Sequence, residues 1–245
     1  MNEPSASVQQ ALAENLARLG DRIARAAQAS GRSAADVTLV AVTKYMPATW
    51  ARVLVAAGCH ELGEARPQEL WSKAAALVDL PVRWHFIGHM QRNKLRRTLP
   101  AIGLFHSVDS LRLLAALEEE AAAAGHQVPA LLEVNISGDE GKGGFEPAEV
   151  EPLVERLPDF AHVRTEGLMG MASLTRAAAQ AESDFERLRI LRDRLIGRLP
   201  GGVRWPHLSM GMSGDFEAAI RQGATLVRVG SALIEGIAAD TPPEH

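Results

Sequence analysis

Apolar residues recur along this chain with two alternating periods. Over residues 8–29, Val8, Leu12, Leu16, Leu19, Ile23 and Ala26 fall roughly on one helical face, and Gly31 ends the segment. Beyond it, short apolar runs alternate with stretches of helical spacing. The runs predict strands at Val37–Lys44, His60–Gly63, Arg83–Gly88, Leu104–Val108, Ala130–Asn135, Val163–Met169, His207–Met210 and Leu226–Gly230. The stretches between them predict helices at about 48–57, 66–78, 90–98, 110–124, 147–157, 177–198 and 214–222, with a last one after Ser231.

Eight strands with intervening helices predict an α/β fold closed as a single (β/α)8 TIM barrel, and 245 residues is a usual length for one. The rival is a doubly wound open sheet, which opens on a Gly-rich turn. No G-x-G-x-x-G follows the first strand here. No Pro/Gly/Ser-rich linker divides the chain, so one domain is expected over 1–245. Within it, residues 1–34 form a helical appendage on the barrel and 238–245 a disordered tail.

A barrel places its active residues at the C-terminal ends of its strands. That rim would carry Lys44, Glu64, Gly88-His89, Asn135, Met169-Gly170-Met171, Ser209 to Ser213 and Arg228 to Ser231. Lys44 stands out because all but four of the 26 basic residues are arginine. A lysine can deprotonate and attack a carbonyl, which an arginine cannot. The alternative is a lysine snorkelling out of a strand end. The last two loops, around Ser213-Gly214 and Gly230-Ser231, are built of small residues at helix starts. Backbone N–H groups there suit a phosphate, although two ordinary turns with serine caps would look the same. A carbonyl-attacking lysine and a phosphate cradle on one rim are together what pyridoxal 5'-phosphate needs.

Composition narrows the class further. The net charge of -4 gives no global attraction to nucleic acid or to an anionic membrane. A single cysteine, Cys59, excludes an intramolecular disulfide and fits a reducing compartment. The N-terminus lacks a basic region followed by an apolar one, and no apolar run approaches a membrane span. A soluble cytoplasmic protein is expected.

Several segments, in order and spacing, resemble the pyridoxal phosphate homeostasis family (the YggS/PROSC type) over nearly the whole chain. They are Leu39-Val40-Ala41-Val42-Thr43-Lys44, Leu62-Gly63-Glu64, Trp84-His85-Phe86-Ile87-Gly88-His89-Met90-Gln91-Arg92-Asn93-Lys94, and Val134-Asn135-Ile136-Ser137 with Lys142. Gly167-Leu168-Met169, Leu208-Ser209-Met210-Gly211-Met212-Ser213 and Val227-Arg228-Val229-Gly230-Ser231 complete the set. The resemblance implies a monomeric barrel like the N-terminal domain of alanine racemase. It implies that Lys44 carries the cofactor as an internal aldimine, that Ser209, Ser213, Gly230 and Ser231 surround the phosphate, and that Arg228 faces the pyridine nitrogen. It implies a holder of pyridoxal phosphate that passes it transiently to apo-enzymes, with no established turnover. Two positions depart from the pattern: Ala65 stands where the family has asparagine, and Met46 where a second lysine often follows.

The alternative is a weak amino-acid racemase on the same site. Alanine racemases use a tyrosine from a second domain of a partner chain. The one tyrosine here, Tyr45, neighbours Lys44 and would point to the opposite side of a strand. The chain also ends soon after the eighth strand. Weaker signals remain. The loop Gly138 to Gly144 is a solvated loop or a mobile lid whose Lys142 passes on cofactor. The basic stretch Gln91 to Arg97 reads as a solvated helix face, without the aromatic residues a nucleic-acid site would interleave. His85 reads as a core or rim histidine, and no HExxH or Cys/His cluster suggests a metal.

Overall fold

The computed structural model describes residues 3–139, 141–173 and 178–237. Eight parallel strands close a barrel in chain order: β1 (Thr38–Val42), β2 (Glu61–Glu64), β3 (Arg83–Phe86), β4 (Ile102–Val108), β5 (Val128–Val134), β6 (Val163–Gly170), β7 (His207–Ser209) and β8 (Leu226–Val229). β1 closes the ring by pairing with β8, Val40 lying opposite Arg228. The helices are α1 (Ala6–Ala29), α2 (Ala48–Ala56), α3 (Pro67–Ala76), α4 (Leu95–Thr98), α5 (Leu111–Ala124), α6 (Pro147–Glu155), α7 (Ala178–Ile196) and α8 (Phe216–Arg221). The barrel expected from the strand count is therefore the fold observed. The expected disordered tail over 238–245 lies outside the described residues.

The alternation of side chains along each strand divides the core into two layers. Ala41, Leu62, Val227 and Val229 point outward and join the large apolar layer beneath the helices. Val40, Leu104, Leu131, Met169 and Leu226 form a separate cluster. It lies inside the barrel, because these positions alternate with the outward ones. α1 starts on Ser5, whose side chain accepts the Val8 N–H, and packs its apolar stripe against α2 and α8. Its buried Asn15 donates to the carbonyls of Leu233 and Glu235, both at 2.9 Å, which ties the appendage to the end of the described chain.

Gly167 shows how tightly the strands approach. It sits at φ 144°, and an added Cβ would lie 2.0 Å from the His207 carbonyl oxygen on β7.

Element ends shift by one or two residues throughout, and three differences bear on the rim or on the helix count. β1 stops at Val42, because Met46 N–H closes a turn on the Thr43 carbonyl. The helix expected over 90–98 is a 3-10 turn at Arg92–Lys94 followed by the short α4, with Pro100 just beyond. The helix expected after Ser231 is a 3-10 turn, Ser231–Leu233. No helix among the described residues is long and apolar enough to cross a membrane.

Candidate functional site

Lys44 follows β1 on the C-terminal rim, but in a turn and not on the strand. It is exposed rather than buried, and its Nζ lies 4.9 Å from the centroid of the Tyr45 ring. The expectation that Tyr45 points away is therefore corrected. Strand alternation ends at Val42, so neighbouring side chains in the turn can share a side, and Tyr45 stands 73% exposed beside Lys44. Met46, by contrast, is buried in the core, where a second rim lysine has no room to act.

Below Lys44 the backbone is clamped. Buried Lys73, from α3, donates to the Thr43 carbonyl at 2.7 Å and pairs with Glu64 at the end of β2. Thr43 Oγ donates to the same Glu64 oxygen at 2.7 Å. The other oxygen, Glu64 Oε2, is buried with no hydrogen-bond partner. This closed ion pair fixes where β1 ends and Lys44 begins.

The loops after β7 and β8 meet beside that point. Ser213 Oγ accepts N–H groups from Gly230 at 3.3 Å and Ala232 at 3.4 Å. A Cβ on Gly230 would come within 3.3 Å of Val42, two residues before Lys44. Ser231 is exposed at the start of the adjoining turn. Asp215 shapes the loop by accepting the Met212 N–H at 2.6 Å, and its burial raises the carboxyl's pKa. Ser213, Gly230 and Ser231 thus lie in adjoining loops, with Gly230 against Val42, the last residue of β1. Small residues in two adjoining loops, with open space where a Cβ on Gly214 would stand, leave room for an anion such as phosphate.

Ser209 lies elsewhere. It points inward along β7, is fully buried, and its Oγ is held by Arg228 Nη1 at 2.6 Å and His106 Nδ1 at 2.8 Å. Expected among the phosphate ligands, its hydroxyl is instead engaged beneath the rim. Arg228 is 4% exposed; it also donates to the carbonyls of Ser209 at 2.8 Å and Gly170 at 3.2 Å. Burial lowers its pKa to about 10, against the charges of Glu133 and Asp215, so the guanidinium stays charged.

Lys142 is anchored. It pairs with Asp139 at 2.7 Å and donates to Ser137 Oγ and the Ala172 carbonyl, both at 3.1 Å, joining the loops after β5 and β6. The sequence reading missed two groups. Glu133 points into the barrel mouth from β5, with its pKa raised by burial and pulled back by Arg228. His106, with His85 and Glu61, continues the polar interior below Ser209. Inward parity is the one signal that could have found them. Among the described residues no group of three or more His, Cys, Asp or Glu could hold a metal ion. A cavity of about 410 Å³ lined by Arg164, Glu166 and Arg204 opens around the start of β6 and shares no residue with the rim.

A parallel barrel with a lysine, a buried arginine and two small-residue loops at the C-terminal ends of its strands points to a class of barrel built like the N-terminal domain of alanine racemase. The family model described as alanine racemase, N-terminal domain, matches residues 10–236. A pyridoxal phosphate homeostasis protein of Pseudomonas aeruginosa is 42% identical over 223 residues, covering 91% of this chain and 94% of that protein. One of Aquifex aeolicus is 37% identical over 220 residues, covering 90% and 96%. PipY of Synechococcus elongatus, solved with PLP bound, superposes with a TM-score of 0.80 at 35% identity, covering 91% of this chain and 99% of that one. The chain belongs to the family of pyridoxal phosphate homeostasis proteins.

Proposed function

We propose that this protein holds pyridoxal 5'-phosphate on Lys44 as an internal aldimine and serves intracellular homeostasis and delivery of that cofactor without turning over a substrate. The observation that carries the reading is the packing of Gly230, bonded to Ser213, against Val42, two residues before Lys44 on the same rim, with Arg228 buried below. Bound there, the cofactor would supply an aldehyde that condenses with Nζ and releases water. Ser213, Gly230 and Ser231 would hold the phosphate. Arg228 would face the pyridine nitrogen, with Ser209 fixing the guanidinium rather than binding phosphate. A guanidinium keeps its protons and donates. It would leave that nitrogen unprotonated, which weakens the ring as an electron sink and favours holding over catalysis.

The barrel and its preceding helix act in this reading as one cofactor-binding domain, monomeric and cytoplasmic, meeting apo-enzymes only transiently. A handover through Lys142 would require that lysine to leave Asp139, Ser137 and the Ala172 carbonyl.

The test is the absorption spectrum of the protein loaded with cofactor. An imine band should vanish in Lys44→Ala, and borohydride reduction should place the phosphopyridoxyl group on the Lys44 peptide. A label mainly on another lysine overturns the assignment. One observation favours the second reading, a weak racemase: Tyr45 stands beside Lys44. Loss of α-deuterium from labelled amino acids, abolished in Tyr45→Phe, would establish that activity in place of simple holding.

A further inference from the structure

Four hydrogen bonds cross the barrel interior in series. Arg228 Nη1 reaches Ser209 Oγ at 2.6 Å, Ser209 Oγ reaches His106 Nδ1 at 2.8 Å, and His106 Nε2 reaches His85 Nδ1 at 2.7 Å. His85 Nε2 then meets Glu61 Oε2. The members come from β8, β7, β4, β3 and β2, so the line cuts across the ring and does not follow one strand. Arg228 and Ser209 stand under the rim, whereas Glu61 begins β2 at the opposite end. Both imidazoles are fully buried, and the Glu61 side chain is 28% exposed.

The protons in this line have one consistent arrangement. Arg228 can only donate, so Ser209 Oγ accepts from it. An ionised Glu61 can only accept, so His85 carries its proton on Nε2. Burial lowers both histidine pKa values, and His106 is lowered furthest, by burial first and then by the charges of Arg228 and Arg83. Burial raises Glu61, but the hydrogen bond from His85 and the nearby charge of Arg83 outweigh it, so its pKa lies below the ordinary carboxylate value. A neutral His85 protonated on Nε2 has a bare Nδ1, so His106 donates to it from Nε2–H. His106 Nδ1 is then bare, and the Ser209 hydroxyl donates to it. Every bond points the same way, from the guanidinium to the carboxylate.

We propose that Ser209, His106, His85 and Glu61 are positioning residues for Arg228: a one-directional chain of donors that fixes the guanidinium under the rim and couples it to a carboxylate at the far end of the barrel. Ser209 has one proton to give. With that proton held by His106, its lone pairs are turned toward Arg228, and the guanidinium is kept in a single orientation with its remaining edge free for a ring-nitrogen acceptor. Glu61 is the element that sets the direction. A neutral amide in its place accepts or donates equally well, so the line loses its reason to run one way. The inference rests on the reading of Arg228 as a cofactor contact.

The first test needs no cofactor. Nitrogen-15 NMR of the histidine rings in the full chain near neutral pH should show His85 and His106 both protonated on Nε2 alone, with assignments from His85→Gln and His106→Gln. An Nδ1–H tautomer or a doubly protonated ring at either position overturns the chain. In Glu61→Gln the His85 shifts should move toward a mixture of tautomers; unchanged shifts would show that Glu61 sets no direction. The second test loads the same proteins with pyridoxal 5'-phosphate. Ser209→Ala and Glu61→Gln should each weaken its retention roughly three- to tenfold, the effect of losing or loosening one hydrogen bond, and shift the absorption band. Retention and band unchanged in both variants, with Lys44 still labelled, would remove the positioning role. A wild-type protein that takes up no cofactor would instead defeat the proposed function, and the ring shifts would still decide the chain.

Discussion

Acid should destabilise this fold from about pH 6.5 downward, through the buried histidines. His106 and His85 are fully buried and their pKa values are lowered by burial, so the folded chain takes up protons on them later than the unfolded chain as the pH falls. In the unfolded chain the same rings protonate below about pH 6.5. The unfolded state therefore takes up more protons, and stability decreases from about pH 6.5 downward until the folded rings themselves titrate. For a ring that stays neutral, the loss between about pH 7 and pH 5 is about 2 kcal/mol. His106 should contribute that in full, and His85 up to as much. His207 is lowered by burial as well, with Glu166 opposing, and adds a smaller part in the same direction. Glu133 and Asp215 act with the opposite sign: burial raises their pKa values, so the folded state gains protons first and is favoured as the pH falls. Urea unfolding at the two pH values, at constant slope, measures the difference. The two rings set an upper bound of about 4 kcal/mol on the loss, which Glu133 and Asp215 offset in part, and in His106→Gln the pH-dependent part should shrink by up to about 2 kcal/mol. Equal stability at the two pH values, or a gain at the lower one, would refute the reading of these rings as buried and neutral.

Other substitutions probe the supports of the site. Lys73→Met strands the Glu64 carboxylate and the Thr43 carbonyl and should cost about 3–5 kcal/mol in urea unfolding. Adding Glu64→Gln should recover part of that loss. Gly167→Ala forces a Cβ to 2.0 Å from the His207 carbonyl in a backbone conformation that suits glycine. It should cost more than about 3 kcal/mol by thermal or urea unfolding, or prevent expression. Lys142→Ala unties the loops after β5 and β6, and faster amide exchange around Ser137 and Ala172 should report it while global stability changes little.

The barrel was legible because each strand is a short apolar run and each helix keeps its own period, so eight alternations are readable without tertiary information. Boundaries failed where a single contact decides them. The turn closed by Met46 N–H on Thr43 ends β1 early, and nothing in Val42-Thr43-Lys44 announces it. That one error also misplaced Tyr45, since the argument from strand alternation needs a strand. On the rim, the loop positions of Ser213, Gly230 and Ser231 were legible because small residues at two successive loop starts are a local signal. Ser209 was read as one more rim serine because its partner, His106, lies 103 residues away in sequence. His106 itself hides in Leu104-Phe105-His106-Ser107-Val108, which reads as an ordinary buried strand. Only the pairing of strands across the barrel, which no local pattern encodes, turns these polar residues into a line.

The division between fixed and exposed parts bears on holding against catalysis. Beneath the rim Arg228 is held by Ser209 and the Gly170 carbonyl, and the end of β1 by Lys73 and Glu64, all buried. Above it, Lys44 and Tyr45 are open to water. An enzyme that moves protons at a substrate carbon gains from excluding water, because its charged groups act more strongly in a dry site. A holder has the opposite requirement. Its lysine must be reachable for loading and for release, while the groups that fix phosphate and ring stay in place. A rigid floor of Arg228, Ser209 and His106 under an accessible Lys44 meets that requirement. Tyr45, though near, lies 73% exposed, which is poor shelter for an acid–base pair. Racemisation in this chain would therefore need some further cover over Lys44 and Tyr45, whereas exchange of a held cofactor needs only the openness already present.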